Sequence, residues 1–275
     1  MPPQVLLIVL CAAALNATWN AIVKGAPDKL LTTVLVILAS AVLSAVILPF
    51  VDSPDPASWP FLGASLVCQI AYFLLLTAAY RGADMSEAYP VMRGAAPLLV
   101  ALASAAVIGE SLSAVAWAGV LLIVGGVLGL ARTAGGVERL LLPLCNAVVI
   151  AAYTIIDGLG ARRSGAPFSY VLWLNILLSL PFVGWAVTTR WSTFRLYAAR
   201  HLPLGLVGGI ATTGSYGLAL WAMTHAPVAV VAALRETGLL FGLAISGTVL
   251  KERIGPARLA AALVIAAGAA ALRLA

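Results

Sequence analysis

Runs of about twenty mostly apolar residues alternate with short polar breaks from one end of this chain to the other. That rhythm limits what it can fold into. About 20 helical residues cross the hydrocarbon core of a bilayer. Backbone groups in lipid must find hydrogen bonds within their own segment, so such runs are read as helices. They fall at 4–23, 30–51, 59–80, 87–108, 113–131, 140–159, 168–189, 202–223, 227–250 and 256–274. The breaks carry helix-end punctuation. Lys24-Gly25-Ala26-Pro27 follows the first run and Asp52-Ser53-Pro54-Asp55-Pro56 the second, while Ser58 and Pro60 open the third. There Ser58 can cap the helix, and the missing N–H of Pro60 costs nothing. Only 9% of the residues are charged and 63% are hydrophobic, against about a quarter charged in a soluble domain. The expected fold class is an all-α integral membrane protein with ten transmembrane helices.

The stretch 88–110 returns as 230–252. An offset of 142 residues places Arg93 on Arg235, Leu98 on Leu240, Ser104 on Ser246, Val107 on Val249 and Glu110 on Glu252. The register continues through Ala118 and Ala260, Leu121 and Leu263, Ile123 and Ile265, Gly126 and Gly268, and Leu130 and Leu272. Two five-helix halves follow, 1–131 and 140–275, joined by a polar linker at 132–139. Five crossings is an odd number, so the second half enters from the opposite face. That is the inverted-repeat plan of secondary transporters. The segment 190–201 is the most polar connection and reads as a short interfacial helix.

Arg93 and Arg235 lie inside apolar runs. A charge near mid-bilayer costs from about 2.5 to more than 10 kcal/mol, so such residues face protein or a wet cavity. Two uses are open: interhelical salt bridges, or two cations lining a central cavity for an anionic group, which guanidinium forks bind at two points. Glu236 neighbours Arg235, but adjacent helical positions point about 100° apart. It can therefore neutralise either arginine, and it is the candidate for proton coupling. On the first helix Asn16, Asn20 and Lys24 share a face at spacing i, i+4, i+8, with Trp19 alongside, so this polar stripe is expected to face the bundle. Tyr89 lies four residues before Arg93. Tyr72, Tyr153 and Tyr216 sit within the third, sixth and eighth runs, either as walls of a solute site or as packing. Asp157, four residues after Tyr153, reads as a partner of Arg162 or Lys24. Gly94 and Pro97 invite a kink beside Arg93. The glycines of run five and the alanines of run ten permit close helix contact or a dimer surface.

Other chemistry finds no support. Cys11, Cys68 and Cys145 are odd in number and sit in apolar runs, which reads as packing. His201 and His225 lack companion ligands. There is no nucleophile motif, nucleotide loop or paired-aspartate pattern, so neither a catalytic set nor a cofactor is expected. The net charge of +6 reflects basic loops, not nucleic-acid binding. Fourteen basic residues lie in loops or at helix ends. Arg162, Arg163 and Arg273 fall on the side of the termini and the remainder on the other side, a count that turns the termini outward.

The two halves, the Gly109-Glu110 step closing the fourth helix and the Trp19-Asn20 to Lys24 run resemble the drug/metabolite transporter superfamily, of the EamA type. In the second half Lys251-Glu252 replaces the glycine-glutamate step. The resemblance implies ten helices, a central cavity, alternating access and cytoplasmic termini, the last opposing the charge count. Together these readings lead us to expect a multi-pass protein of the cell membrane, working as a monomer or homodimer. Its function would be secondary transport, as an exporter, of a small polar metabolite that is anionic or zwitterionic. The expected site comprises Arg93, Arg235, Glu236, Trp19, Asn20, Lys24, Tyr72, Tyr89, Tyr153 and Tyr216. The alternative is a flippase or accessory subunit for an anionic lipid carrier.

Overall fold

A computed structural model describes residues 1–82, 85–129, 141–248 and 255–274. Among these residues every regular element is helical. In chain order they are α1 (Pro3–Gly25), α2 (Lys29–Ile47), α3 (Trp59–Gly82), α4 (Met85–Ala103), α5 (Ala114–Gly129), α6 (Leu141–Ser164), α7 (Pro167–His225), α8 (Val228–Arg235), α9 (Gly238–Thr248) and α10 (Pro256–Leu274). The linker at 132–139, and with it Lys251 and Glu252, lies outside the described residues.

Helix starts follow the local chemistry. Asp28 accepts a hydrogen bond from the Leu31 N–H at 2.9 Å and so caps α2. Proline stands at the first turn of α1 and of α7, where its ring costs no intrahelical bond. Side chains such as Leu7, Val67, Leu74, Val107, Leu180 and Leu263 are more than 60% exposed. Among the described residues, seven helical stretches are long and apolar enough to cross a membrane. A soluble protein would pay heavily for that much apolar surface in water; a lipid-facing belt explains it.

At 1.5 Å per residue, the 59 residues of α7 would extend about 88 Å, nearly three times the hydrocarbon thickness. Non-helical backbone at Arg190 and His201 divides it. Segments 167–189 and 202–225 can each cross the bilayer, and 191–200 joins them. The connecting segment packs Phe194 against Leu31, Val34 and Leu35 of α2. Its Tyr197 hydroxyl shares a 2.6 Å hydrogen bond with Thr32.

Beside Arg93, α4 is continuous helix past Gly94 and Pro97. Gly94 serves closeness, since a Cβ there would meet Leu128 Cδ2 at 2.9 Å and Val127 Cγ1 at 3.2 Å on α5. A break lies in the matching stretch of the second half, which the sequence reading took as one continuous span. There α8 stops at Arg235 and α9 starts at Gly238. Glu236 N–H and Thr237 N–H donate to the carbonyls of Ala233 and Leu234, both at 3.0 Å, so the turn satisfies its own backbone. Gly238 lets α1 approach, its missing Cβ standing 3.1 Å from the Ala13 carbonyl oxygen.

Small residues also set the α5–α10 contact. A Cβ on Gly119 would crowd Gly268 O at 2.9 Å, and one on Gly126 would crowd Ala261 O at 3.0 Å. Under the 142-residue offset these two contacts are the same pair read in opposite directions. A local two-fold axis between α5 and α10 produces such reciprocity. These glycines are thus spent on a contact within the chain. Gly268→Ala would set a Cβ 2.8 Å from Gly119 O and 2.9 Å from Ile123 N, where backbone and not a flexible side chain must yield. We expect a loss of roughly 1–3 kcal/mol, measured by denaturation in detergent. Gly125→Ala on the same helix meets nothing within 4 Å and should leave stability unchanged.

Candidate functional site

The two intramembrane arginines meet at one cavity. α4 contributes Arg93, Ala96, Pro97 and Val100; α6 contributes Ile150, Tyr153 and Thr154; α8 contributes Ala232 and Arg235, and the break after it Glu236. The cavity measures about 20 Å³, room for roughly one water. A larger hollow of about 340 Å³ lies along one face of segment 192–201. It is an open groove on that single helix, away from the arginines, and holds no comparable convergence of charge.

Arg93 grips Glu236 at two points. Its Nε donates to Oε2 at 3.1 Å and its Nη2 stands 2.9 Å from Oε1. The Glu236 side chain is 6% exposed. Glu236 lies just past the end of α8, its backbone still in the right-handed region at φ −70° and ψ −13°. The glutamate pairs with the arginine of the other half and not with its sequence neighbour.

Arg235 has a different environment. Its guanidinium carbon stands 5.4 Å from the centre of the Tyr216 ring, a cation–π arrangement. Its buried Nε has no hydrogen-bond partner. Among the described residues no carboxylate forms an ion pair with it within 4 Å. The Tyr216 hydroxyl in turn donates to Asp157. Asp157 is fully buried and also accepts from Tyr170 at 2.9 Å and from Gln69 at 3.4 Å.

The structure divides the residues expected from sequence. Arg93, Arg235, Glu236 and Tyr153 line the cavity, and Tyr216 lies against Arg235. Tyr72 stands behind Tyr153, ring centres 6.2 Å apart and edge to face. Trp19, Asn20 and Lys24 are not among the lining residues. Trp19 and Asn20 bond within α1, to Asn16 Oδ1 at 3.1 Å and to the Asn16 carbonyl at 2.7 Å. Lys24 is exposed in the last turn of α1, and the stripe does not reach the cavity. The side chain of Tyr89 lies outside the described residues.

Asp157 does not pair with Arg162 or Lys24, contrary to the sequence reading. Arg162 belongs to a knot at one end of the bundle. Its Nη2 stands 2.6 Å from Glu110 Oε1, and it donates to the carbonyls of Met223 at 2.8 Å and Ala226 at 3.1 Å. Glu110 also accepts from the Val228 N–H at 2.9 Å, at the start of α8, and from the Ser104 hydroxyl. The left-handed Gly109, φ 75°, turns the chain so that Glu110 can reach this point, a backbone state that favours glycine. Sequence reasoning missed Asp157, Gln69, Glu110 and Arg162 as site components. The signal available was their rarity: polar side chains within or just beyond apolar runs.

Apolar helices of membrane-crossing length and two corresponding halves mark a multi-pass membrane protein, with a charged cavity between its helices. The family model described as the EamA-like transporter family matches residues 4–132 and again 139–274. The chain therefore belongs to the EamA-like transporter family, within the drug/metabolite transporter superfamily. No curated protein matches the chain. A solved structure titled only "Crystal structure of protein" is 21% identical, with a TM-score of 0.76 over 100% of this chain and 98% of its own. At that identity the likeness speaks for the fold.

Proposed function

We propose that this protein is a secondary active transporter that moves a small anionic metabolite across the cell membrane by alternating access. In this reading ten crossings form two inverted repeats, 1–131 and 140–275. The observation that carries it is Arg235, a guanidinium lining the cavity that forms no ion pair with a carboxylate among the described residues. Arg93 and Glu236 cancel one another, so Arg235 is the charge left for a ligand. A carboxylate or phosphate fits its two-point donor geometry. A zwitterion is the weaker candidate, because the carboxylate nearest the cavity is already held by Arg93.

A cavity of about 20 Å³ is far below the 300 Å³ or more that enclose most small ligands. The conformation described is thus closed around the site, and solute enters when the halves part. We place export as the working direction. The test is flux into proteoliposomes together with thermal shift of the purified protein, across matched panels of anions, zwitterions and cations. Stabilisation and counterflow by carboxylates or phosphates are expected. Equal responses to cations would overturn the reading.

A further inference from the structure

Asp157 is a carboxylate inside the membrane-spanning bundle, 0% exposed. Such a group costs several kcal/mol unless something compensates it. No Lys or Arg among the described residues forms an ion pair with it. Its compensation comes from neutral donors on two neighbouring helices, Gln69 of α3 and Tyr170 and Tyr216 of α7. Gln69 is itself anchored, donating to Ser65 Oγ at 3.0 Å. An apolar residue would pack this position without the penalty, so the carboxylate calls for a role.

Tyr216 supplies that role. Its hydroxyl donates to Asp157 while its ring lies against the Arg235 guanidinium. A phenol that donates to a carboxylate becomes richer in electrons across its ring, and hydrogen-bonded groups in a low-dielectric setting polarise one another. The negative charge of Asp157 thus reaches Arg235 through the ring. A direct salt bridge would occupy the guanidinium edge, as Glu236 occupies that of Arg93. The indirect route steadies the cation and leaves its N–H groups free.

We propose that Asp157 is a positioning residue of the solute site, acting through Tyr216 to hold the Arg235 guanidinium ready for an anion. The proposal rests on the anion-transport reading above. Tyr216→Phe cuts the link while keeping the ring and leaving Asp157 its bonds to Tyr170 and Gln69. Asp157→Asn removes the charge at nearly constant volume.

The test measures KM and maximal rate in proteoliposomes, using the best anion from the panel, for both variants, their double variant and Arg235→Ala. Each single variant should raise KM about tenfold, within the range of a desolvated cation–π contact. Maximal rate should hold, and the double variant should be no worse than either single one. KM increases that multiply in the double variant would overturn the proposal. So would an unchanged KM in Asp157→Asn while Arg235→Ala abolishes transport, an outcome that spares the anion reading. Normal transport by Arg235→Ala would remove the anion reading and this proposal together. If Asp157→Asn fails to fold, Tyr216→Phe decides alone: an unchanged KM in that variant overturns the proposal.

Discussion

We expect Arg235→Ala to abolish solute transport while costing the folded protein little stability. Truncating one partner of a desolvated charge pair costs about 2–5 kcal/mol. At about 1.4 kcal/mol per tenfold, solute binding weakens by a factor of roughly 30 to several thousand. The cost in stability is small because, among the described residues, no carboxylate pairs directly with Arg235 and none is orphaned; only its contact with the Tyr216 ring is lost. Arg93→Ala behaves differently. It strands Glu236, whose side chain is 6% exposed, and breaking a buried pair in this way costs about 3–5 kcal/mol. The double variant Arg93→Ala/Glu236→Ala should recover most of that stability. Proteoliposome flux and denaturation in detergent read the two properties separately. Arg235→Ala with wild-type KM would take this guanidinium out of the site.

Glu110→Ala should be the most damaging single change at the end of the bundle. It removes the counter-ion of Arg162, the acceptor of the Val228 N–H and the acceptor of the Ser104 hydroxyl. A fully buried pair would cost 3–5 kcal/mol, but the Arg162 side chain keeps 30% of its exposure, so water takes over part of its solvation. We expect a loss of about 2–3 kcal/mol. Glu110→Gln, which can still accept from Val228, should lose less. Arg163→Ala, one residue along and stacked 5.0 Å over Phe61, should cost under about 1 kcal/mol. Comparable losses at positions 110 and 163 would show that the knot contributes nothing particular.

Much of the architecture was legible because lipid imposes a length on each crossing and repetition imposes a register. Matching Gly126 with Gly268 and Ile123 with Ile265 marked equivalent positions; that Gly126 meets Ile265 and Gly268 meets Ile123 across α5 and α10 came only from the fold. The isolated arginines were legible for a related reason: apolar surroundings make a charge conspicuous. What escaped was pairing. Arg93 meets Glu236, 143 residues away, and no local spacing encodes that. Asp157 and Arg162 look like natural partners on α6. The fold instead turns Asp157 toward α3 and α7, and Arg162 sits with Glu110 at the helix ends. The break after Arg235 was hidden as well, since Leu234, Arg235 and Glu236 all favour helices. The weak helix formers Thr237 and Gly238 stand at the break itself, and there the fork from Arg93 and the approach of α1 also fall.

The break has a mechanical consequence. It leaves α8 eight residues long, about 12 Å, and buried along most of its length. One tip stands where Val228 meets Glu110; the other carries Arg235. In the proposed reading the latch at the bundle's end and the cation at the cavity thus share one short strut, and a shift at either end has a single helix to cross.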